Sequence, residues 1–144
     1  MQDEKIFEHY WKYFEIHSQQ RMTVFNFYLA IVGLISAGIG FGLQQGEKFD
    51  YLVSSMSLFL MFVSFLFYKM DERVSTLIKR AENGLALLEG QHIGKGKSLF
   101  HSDKLDSDLN ASLFSPWSYG RCFRISFITV GNISFIISFA PLIN

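Results

Sequence analysis

Three long stretches without a charged side chain constrain the fold of this 144-residue chain more than any other feature. They are Met22–Leu43, Tyr51–Tyr68 and Ile125–Ile143, each 18–22 residues long. A helix needs roughly 20 apolar residues to cross the hydrocarbon core of a bilayer, whereas helices of soluble domains usually keep a polar face. The sequence therefore predicts an all-α integral membrane protein with three transmembrane helices. The first two spans are expected at about 23–43 and 51–68, and the third helix within 116–144.

A cleaved secretory signal is the main alternative explanation of the first uncharged stretch. A signal begins with a short basic segment. Here the preceding residues include four acidic ones, Asp3, Glu4, Glu8 and Glu15. We therefore expect the first stretch to be retained as a membrane span.

The distribution of lysine and arginine predicts the orientation, since cytoplasmic loops carry an excess of these residues. Only Lys48 lies in the short connection between the first two spans, whereas nine basic residues lie between the second and third. The N-terminus and residues 69–124 are therefore expected in the cytoplasm. The 44–50 turn and the C-terminus are expected outside.

Amphipathic segments continue the first two spans on their cytoplasmic side. At about 100° per residue, apolar side chains gather on one arc of each segment. On the first segment they are Ile6, Phe7, Tyr10, Trp11, Tyr13, Phe14 and His17, and on the second Met70, Val74, Leu77, Ile78, Ala81, Leu85 and Leu88. Because no breaker separates them from the spans, we expect two helices of about 60 Å, at 4–43 and 51–90, packed as an antiparallel hairpin that extends into the cytoplasm. An interfacial helix at 6–20, flat on the bilayer, is the alternative.

A tight turn near Glu47 fixes the register of this hairpin, because residues at equal distance from the turn face each other. Arg21 is then expected to pair with Asp71 or Glu72 at the membrane boundary, with His17 in the same polar cluster. The same register places Tyr10 beside Gly84, where the missing side chain leaves room for a ring.

Small and polar residues recur within the spans. Close backbone approach through small residues drives helix association in lipid. The predicted packing or oligomer positions are Gly33, Ala37, Gly38, Gly42, Ser57 and Ser64, and the intramembrane polar residues are Asn26 and Asn132. Packing within one chain could use all of these faces. Their presence on more than one span favours a homo-oligomer.

Residues 91–115 have the composition of a flexible cytoplasmic linker, rich in Gly, Ser, Asp and Asn. The "GKGKS" sequence at 94–98 lacks the full phosphate-loop spacing and follows no strand. "SPW" at 115–117 is a typical helix start, with serine as N-cap and proline at the first position.

No catalytic, metal or cofactor site is expected. The four histidines form no set with ligand spacing, and the single Cys122 excludes an internal disulfide. Pumps and transporters generally need charged groups within the membrane, and these spans contain none. We therefore expect neither an enzyme nor a proton-coupled transporter, and no direct binding of nucleic acid.

Three segments carry a resemblance to a known group: "YWKYFEIHSQQRMTVFNFYL", "KMDERVSTLIKRAENGLALLEG" and "SYGRCFRISFITVGN". They resemble small bacterial three-span membrane proteins associated with antiviral defence loci, retron and cyclic-nucleotide-type systems among them. The resemblance covers nearly the whole chain apart from 91–114. It rests on packing and boundary residues, which are Trp11, His17, Gln20, Arg21, Asn26, Asp71, Arg73 and Glu82.

The resemblance implies a homo-oligomeric effector in the bacterial inner membrane. Such a protein would permeabilise the membrane, after a signal from a cytoplasmic defence partner, and so stop phage replication by abortive infection. The alternative is a membrane anchor without a pore, which holds a soluble partner at the bilayer. Depolarisation of cells would distinguish the two functions.

Overall fold

The computed structural model describes residues 2–92 and 118–143. Within these ranges the chain forms three α-helices and no strand: α1 is Gln2–Gln44, α2 is Asp50–His92 and α3 is Tyr119–Ile143. All three are long and apolar enough to cross a membrane. The predicted all-α fold with three spans is confirmed, and α1 and α2 are the two long helices that the uncharged stretches and their amphipathic extensions predict. The 93–115 part of the predicted linker and the "SPW" helix start lie outside the described residues.

A tight turn joins α1 to α2. It contains a short 3-10 helix, Glu47–Phe49, preceded by Gly46 at φ 74°. This left-handed conformation costs a glycine little, because it has no Cβ to clash with the backbone. Asp50 then begins α2, where a negative charge stabilises the positive end of the helix dipole.

The helices contribute to two compact units. The first, here called the polar unit, combines residues 2–21 of α1 with the part of α2 that begins at Arg73. In it the Tyr10 ring lies against Gly84, since a Cβ built on Gly84 would come within 2.7 Å of the Tyr10 Cε1 atom. The predicted neighbourhood of Tyr10 and Gly84 is confirmed, and with it the antiparallel register of this unit.

The apolar arcs of the polar segments are only partly buried. Ile78, Ala81 and Leu85 of α2 are buried as predicted. In contrast, Ile6, Phe7, Tyr10 and Trp11 of α1 keep 36–45% of their surface exposed. Met70 does not face inward as predicted, since it is 49% exposed while the neighbouring Asp71 is buried. The inward-facing position at this level of α2 is therefore occupied by a carboxylate.

The second unit, here called the membrane unit, combines Met22–Glu72 with α3. Its core contains two clusters of apolar side chains. The first joins all three helices through Tyr28, Val63, Phe123 and Phe127, and the second contains Ile39, Val53 and Leu60. Aromatic rings hold α3 against α1: Phe25 stacks on Phe123 at 3.9 Å between ring centroids, and Tyr28 meets Phe127 edge-on at 4.6 Å. Both pairs run in the same chain direction, so α1 and α3 are parallel.

Candidate functional site

The polar residues at one end of the membrane unit form two ion pairs of different kinds. Asp71 on α2 accepts a hydrogen bond from Arg124 Nε on α3, at 3.3 Å. Only 3% of the Asp71 side chain is exposed, compared with 40% of Arg124. Because the carboxylate is withdrawn from solvent and bonded to the other helix, this pair fixes α3 to α2 at the end of the spans.

The second ion pair lies at the surface. Lys69 Nζ donates to Glu72 Oε2 at 2.8 Å, with both side chains about half exposed. Their mutual hydrogen bond raises the pKa of Lys69 and lowers the pKa of Glu72. Such exposed pairs contribute little to stability. Glu72, one of the two predicted partners of Arg21, therefore has a local partner in Lys69.

His17 is a packed histidine of the polar unit. Its Nδ1 donates to the Tyr13 carbonyl oxygen at 2.8 Å, and its ring stacks on Tyr13 with 4.1 Å between centroids. Tyr13 lies one turn earlier on the same helix, so the contact is local. The pairing of Arg21 with Asp71 or Glu72 stays a prediction.

Hydroxyl groups inside the membrane unit form hydrogen bonds within and between its helices. The Tyr28 hydroxyl lies 3.0 Å from Ser64 Oγ, which donates to the Leu60 carbonyl at 2.9 Å. Further along α2, Ser54 Oγ donates to the Ser138 carbonyl of α3 at 2.6 Å. Ser57 Oγ is buried and has no partner among the described residues. Ser57 and Ser64 thus lie within the protomer, and the bond between Tyr28 and Ser64 joins α1 to α2 where lipid offers no partner.

The predicted small residues of α1 separate into two faces. A Cβ on Gly38 would approach the Met56 methyl to 2.6 Å, and one on Gly42 would approach Val53 Cγ2 to 2.5 Å. These two glycines therefore allow α1 and α2 to pack closely. Gly33 and Ala37, in contrast, are exposed, and a Cβ on Gly33 would meet no heavy atom within 4 Å.

Both predicted intramembrane amides also face outward. Asn26 on α1 and Asn132 on α3 are exposed in the protomer. Neither makes a side-chain hydrogen bond to the described part of its own chain. Two amides at the depth of the spans are therefore available to something outside the protomer.

Comparison with known proteins places this arrangement in a family. The model of the octameric membrane protein family (8xMP) matches residues 4–140. The chain belongs to this family. It is also 50% identical, over 136 residues, to CD-NTase-associated protein 19 of Escherichia coli, an alignment that covers 94% of this chain and 90% of the relative. No solved structure matches.

These comparisons confirm the resemblance to small bacterial membrane proteins of defence loci. The family match includes all three helices almost to their ends, so the chain is a multi-pass membrane protein and not a soluble helical bundle. Within the described residues, no group of three His, Cys, Asp or Glu side chains could hold a metal ion. The functional features of this 8xMP chain are its surfaces for helix packing, its charged residues at the membrane boundary and its two exposed amides.

The ion pair between Arg124 and Asp71 was not predicted from the sequence. The sequence positions of the two residues indicate that they lie at similar depth in the membrane. Arg124 is the last charged residue before the third uncharged stretch, and Asp71 lies just beyond the second. Opposite charges at the same membrane boundary, on helices that must pack together, predict such a pair. The missing information was which side of the hairpin α3 occupies, which the Phe25–Phe123 and Tyr28–Phe127 contacts decide.

Proposed function

We propose that this protein is a homo-oligomeric effector of a bacterial anti-phage defence system, and that on activation it permeabilises the inner membrane. Its membership in the octameric membrane protein family carries the proposal, in which eight subunits assemble. The relative named as CD-NTase-associated supports a role beside a defence enzyme. In this proposal the N-terminus and the polar unit lie in the cytoplasm and the C-terminus lies outside, as the basic residues indicate.

The spans favour a passage between protomers rather than through one. Inside the protomer, the hydroxyls of Ser54, Ser64 and Tyr28 are engaged in bonds between or within helices. The polar groups at the surface of the spans include the amides of Asn26 and Asn132, besides the exposed hydroxyls of Ser36, Ser55 and Thr129. A ring of copies would bring these outward groups together, and rearrangement of the ring would admit water and ions.

The polar unit supplies a surface on which a cytoplasmic signal can act. Ile6, Phe7, Tyr10 and Trp11 are all more than one third exposed, although the surrounding segment is charged. Exposed aromatic groups of this kind mark sites of protein interaction in water. Because α1 runs without a break from this surface into the membrane unit, a partner bound there can transmit a shift to the spans. We propose that the protein needs no catalytic group or cofactor and binds no nucleic acid.

Depolarisation of living cells tests the proposal. The chain is expressed from an inducible promoter in Escherichia coli carrying a potential-sensitive dye, with and without phage challenge. The expected result is loss of membrane potential and arrest of growth before phage are released. Unchanged dye signal and growth in both conditions would overturn the effector function and leave a membrane anchor for a soluble partner as the better explanation.

A matched pair of variants links the activity to the geometry. Asp71→Asn keeps the shape of the side chain but removes the charge that Arg124 bonds, whereas Glu72→Gln makes the same change in the exposed pair. At equal amounts in the membrane, Asp71→Asn is expected to depolarise cells less than the wild type, and Glu72→Gln to match it. Equal effects of the two variants would mean that the bond between α2 and α3 has no part in the activity.

A further inference from the structure

The side of α1 that faces away from α2 and α3 is lined by small residues and an amide. This small-residue face consists of Asn26, Ala30, Gly33, Ala37 and Gly40, which follow each other at intervals of three or four and therefore share one side of the helix. Its first four members are exposed, and a Cβ on Gly33 or Gly40 would meet nothing within 4 Å.

The outward side of α2 is different. Between Tyr51 and Tyr68 it contains no glycine or alanine, and Leu58, Phe59, Phe62 and Phe65 are each 51–56% exposed. Bulky apolar side chains suit contact with lipid chains, whereas small residues let another backbone approach. The two helices therefore present surfaces adapted to different neighbours.

The outward side of α3 carries the complementary group. Asn132 lies on the side of α3 away from Phe123 and Phe127, which face α1, and it is exposed. An amide held in hydrocarbon without a partner is unfavourable, because lipid cannot replace the hydrogen bonds that the amide makes with water. Such a group is accordingly used as a bond between helices.

The two surfaces lie at the same depth. Phe25 contacts Phe123 and Tyr28 contacts Phe127, and this parallel pairing, continued along both helices, brings Asn132 level with Gly33. Rotation about an axis perpendicular to the membrane leaves depth unchanged. In a ring, Asn132 of one copy is therefore level with Gly33 of the next.

We propose that the subunits join through these two surfaces. Asn132 of one copy enters the notch at Gly33, between Ala30 and Ala37 of the next copy, and its amide donates to a backbone carbonyl of α1 that no side chain covers. The occupant is a second copy because the chain belongs to an octameric family, and a closed ring repeats a contact between two different faces of each subunit. The inference rests on the proposed homo-oligomer and specifies its interface.

Disulfide cross-linking in native membranes tests this interface. The background is Cys122→Ser, which removes the sole cysteine. Gly33→Cys and Asn132→Cys are introduced together, the membranes are oxidised, and the products are separated without reductant. In one protomer no heavy atom lies within 4 Å of a Cβ on Gly33, so a bond inside the chain is disfavoured, since bridged Cβ atoms are about 3.8 Å apart.

The expected product is a ladder that extends beyond the dimer, because each subunit is linked on both sides. The control pair, Phe62→Cys with Asn132→Cys, is expected to give no ladder, and each single variant at most a dimer. A second variant, Gly33→Leu, fills the notch at a position where an added Cβ meets no atom of the protomer within 4 Å, and is expected to weaken assembly roughly tenfold.

Three outcomes would overturn the interface. One is that the double variant gives cross-linked dimers and no larger species, which indicates a two-fold contact. Another is an equal ladder in the control pair. The third is a double variant that assembles as the wild type does but forms no cross-link, which rejects the interface while the proposed function stands. A ladder in cells that never depolarise supports the interface and rejects the effector function.

Discussion

Replacement of Asp71 should reduce the stability of the protein more than replacement of Glu72, its neighbour in the chain. Its side chain is 3% exposed and bonded to Arg124 on another helix, whereas Glu72 bonds Lys69 within one turn at the surface. Breaking a buried charged bond by removing one partner is costly, because the remaining group keeps its desolvation penalty.

We expect Arg124→Ala to destabilise the protein by roughly 1–3 kcal/mol. Lys69→Ala, the matched change in the exposed pair, should have no measurable effect. The measurement is unfolding in mixed detergent micelles, followed by circular dichroism. If both variants unfold with the wild type, the bond between α2 and α3 contributes no stability.

The bond between Tyr28 and Ser64 predicts an unequal pair of variants. Ser64→Ala should destabilise more than Tyr28→Phe, because the two deletions leave different groups behind. Without the tyrosine hydroxyl, Ser64 still donates to the Leu60 carbonyl, so the loss is about 0.6 kcal/mol. Without the serine, a fully buried hydroxyl loses its partner, at a cost of roughly 1–3 kcal/mol.

The same unfolding measurement in micelles checks this order. Ser36→Ala, an exposed serine on α1, is a suitable control and should unfold as the wild type does. The reverse order, with Tyr28→Phe the less stable protein, would contradict this account, because the tyrosine hydroxyl would then contribute more than its bond to Ser64.

At the scale of helices, the close contact of α1 with α2 depends on glycines that can be told apart from those facing outward. Gly42→Ala places a Cβ 2.5 Å from Val53 Cγ2, whereas Gly40→Ala meets no atom within 4 Å. We expect Gly42→Ala to destabilise the hairpin by roughly 1–3 kcal/mol through overpacking.

Gly40→Ala is the matched control, since it makes the same chemical change two residues away on the same helix. Because alanine is the better helix former, it should leave the protomer as stable or stabilise it by up to about 1 kcal/mol. Thermal unfolding of the two variants side by side, in micelles that hold single protomers, measures the difference without a contribution from the small-residue face that includes Gly40. Equal stabilities would mean that α1 and α2 can separate at Gly42 without cost.

The helices and the hairpin register were predictable from the sequence, and the physical reason is the bilayer. An uncharged stretch of about 20 residues has the length that a helix needs to cross the bilayer, so the three spans follow directly. The register followed from the position of the turn, and the Tyr10–Gly84 contact confirms it in the polar unit. Apolar periodicity was less reliable, because it placed Met70 inward where the structure has Asp71.

The position of α3 was not predictable in the same way. All sides of a membrane helix are apolar, so a helical wheel does not reveal which side meets a neighbouring helix. The ring contacts of Phe25 and Tyr28 with α3 decide this position, and Arg124 reaches Asp71 as a consequence. For the same reason, the sequence could not tell which pair of small residues meets α2, Gly38 with Gly42 or Gly33 with Ala37.

At the scale of the whole molecule, the orientation in the membrane that the basic residues predict can be tested with single cysteines. In the Cys122→Ser background, Lys48→Cys lies in the turn between α1 and α2 and is exposed. Glu8→Cys lies in the polar unit and is also exposed. Because basic residues stay on the cytoplasmic side, a maleimide that cannot cross membranes should label Lys48→Cys, and not Glu8→Cys, in intact spheroplasts.

Lysis is the control for this labelling, since both sites should react fully once the membrane is opened. Labelling of Glu8→Cys before lysis would reverse the orientation and place the exposed aromatic residues of the polar unit outside the cell. A cytoplasmic partner could then not reach them, and activation would have to come from the other side of the membrane. The orientation therefore decides whether the long amphipathic extensions of α1 and α2 can receive a signal from inside the cell.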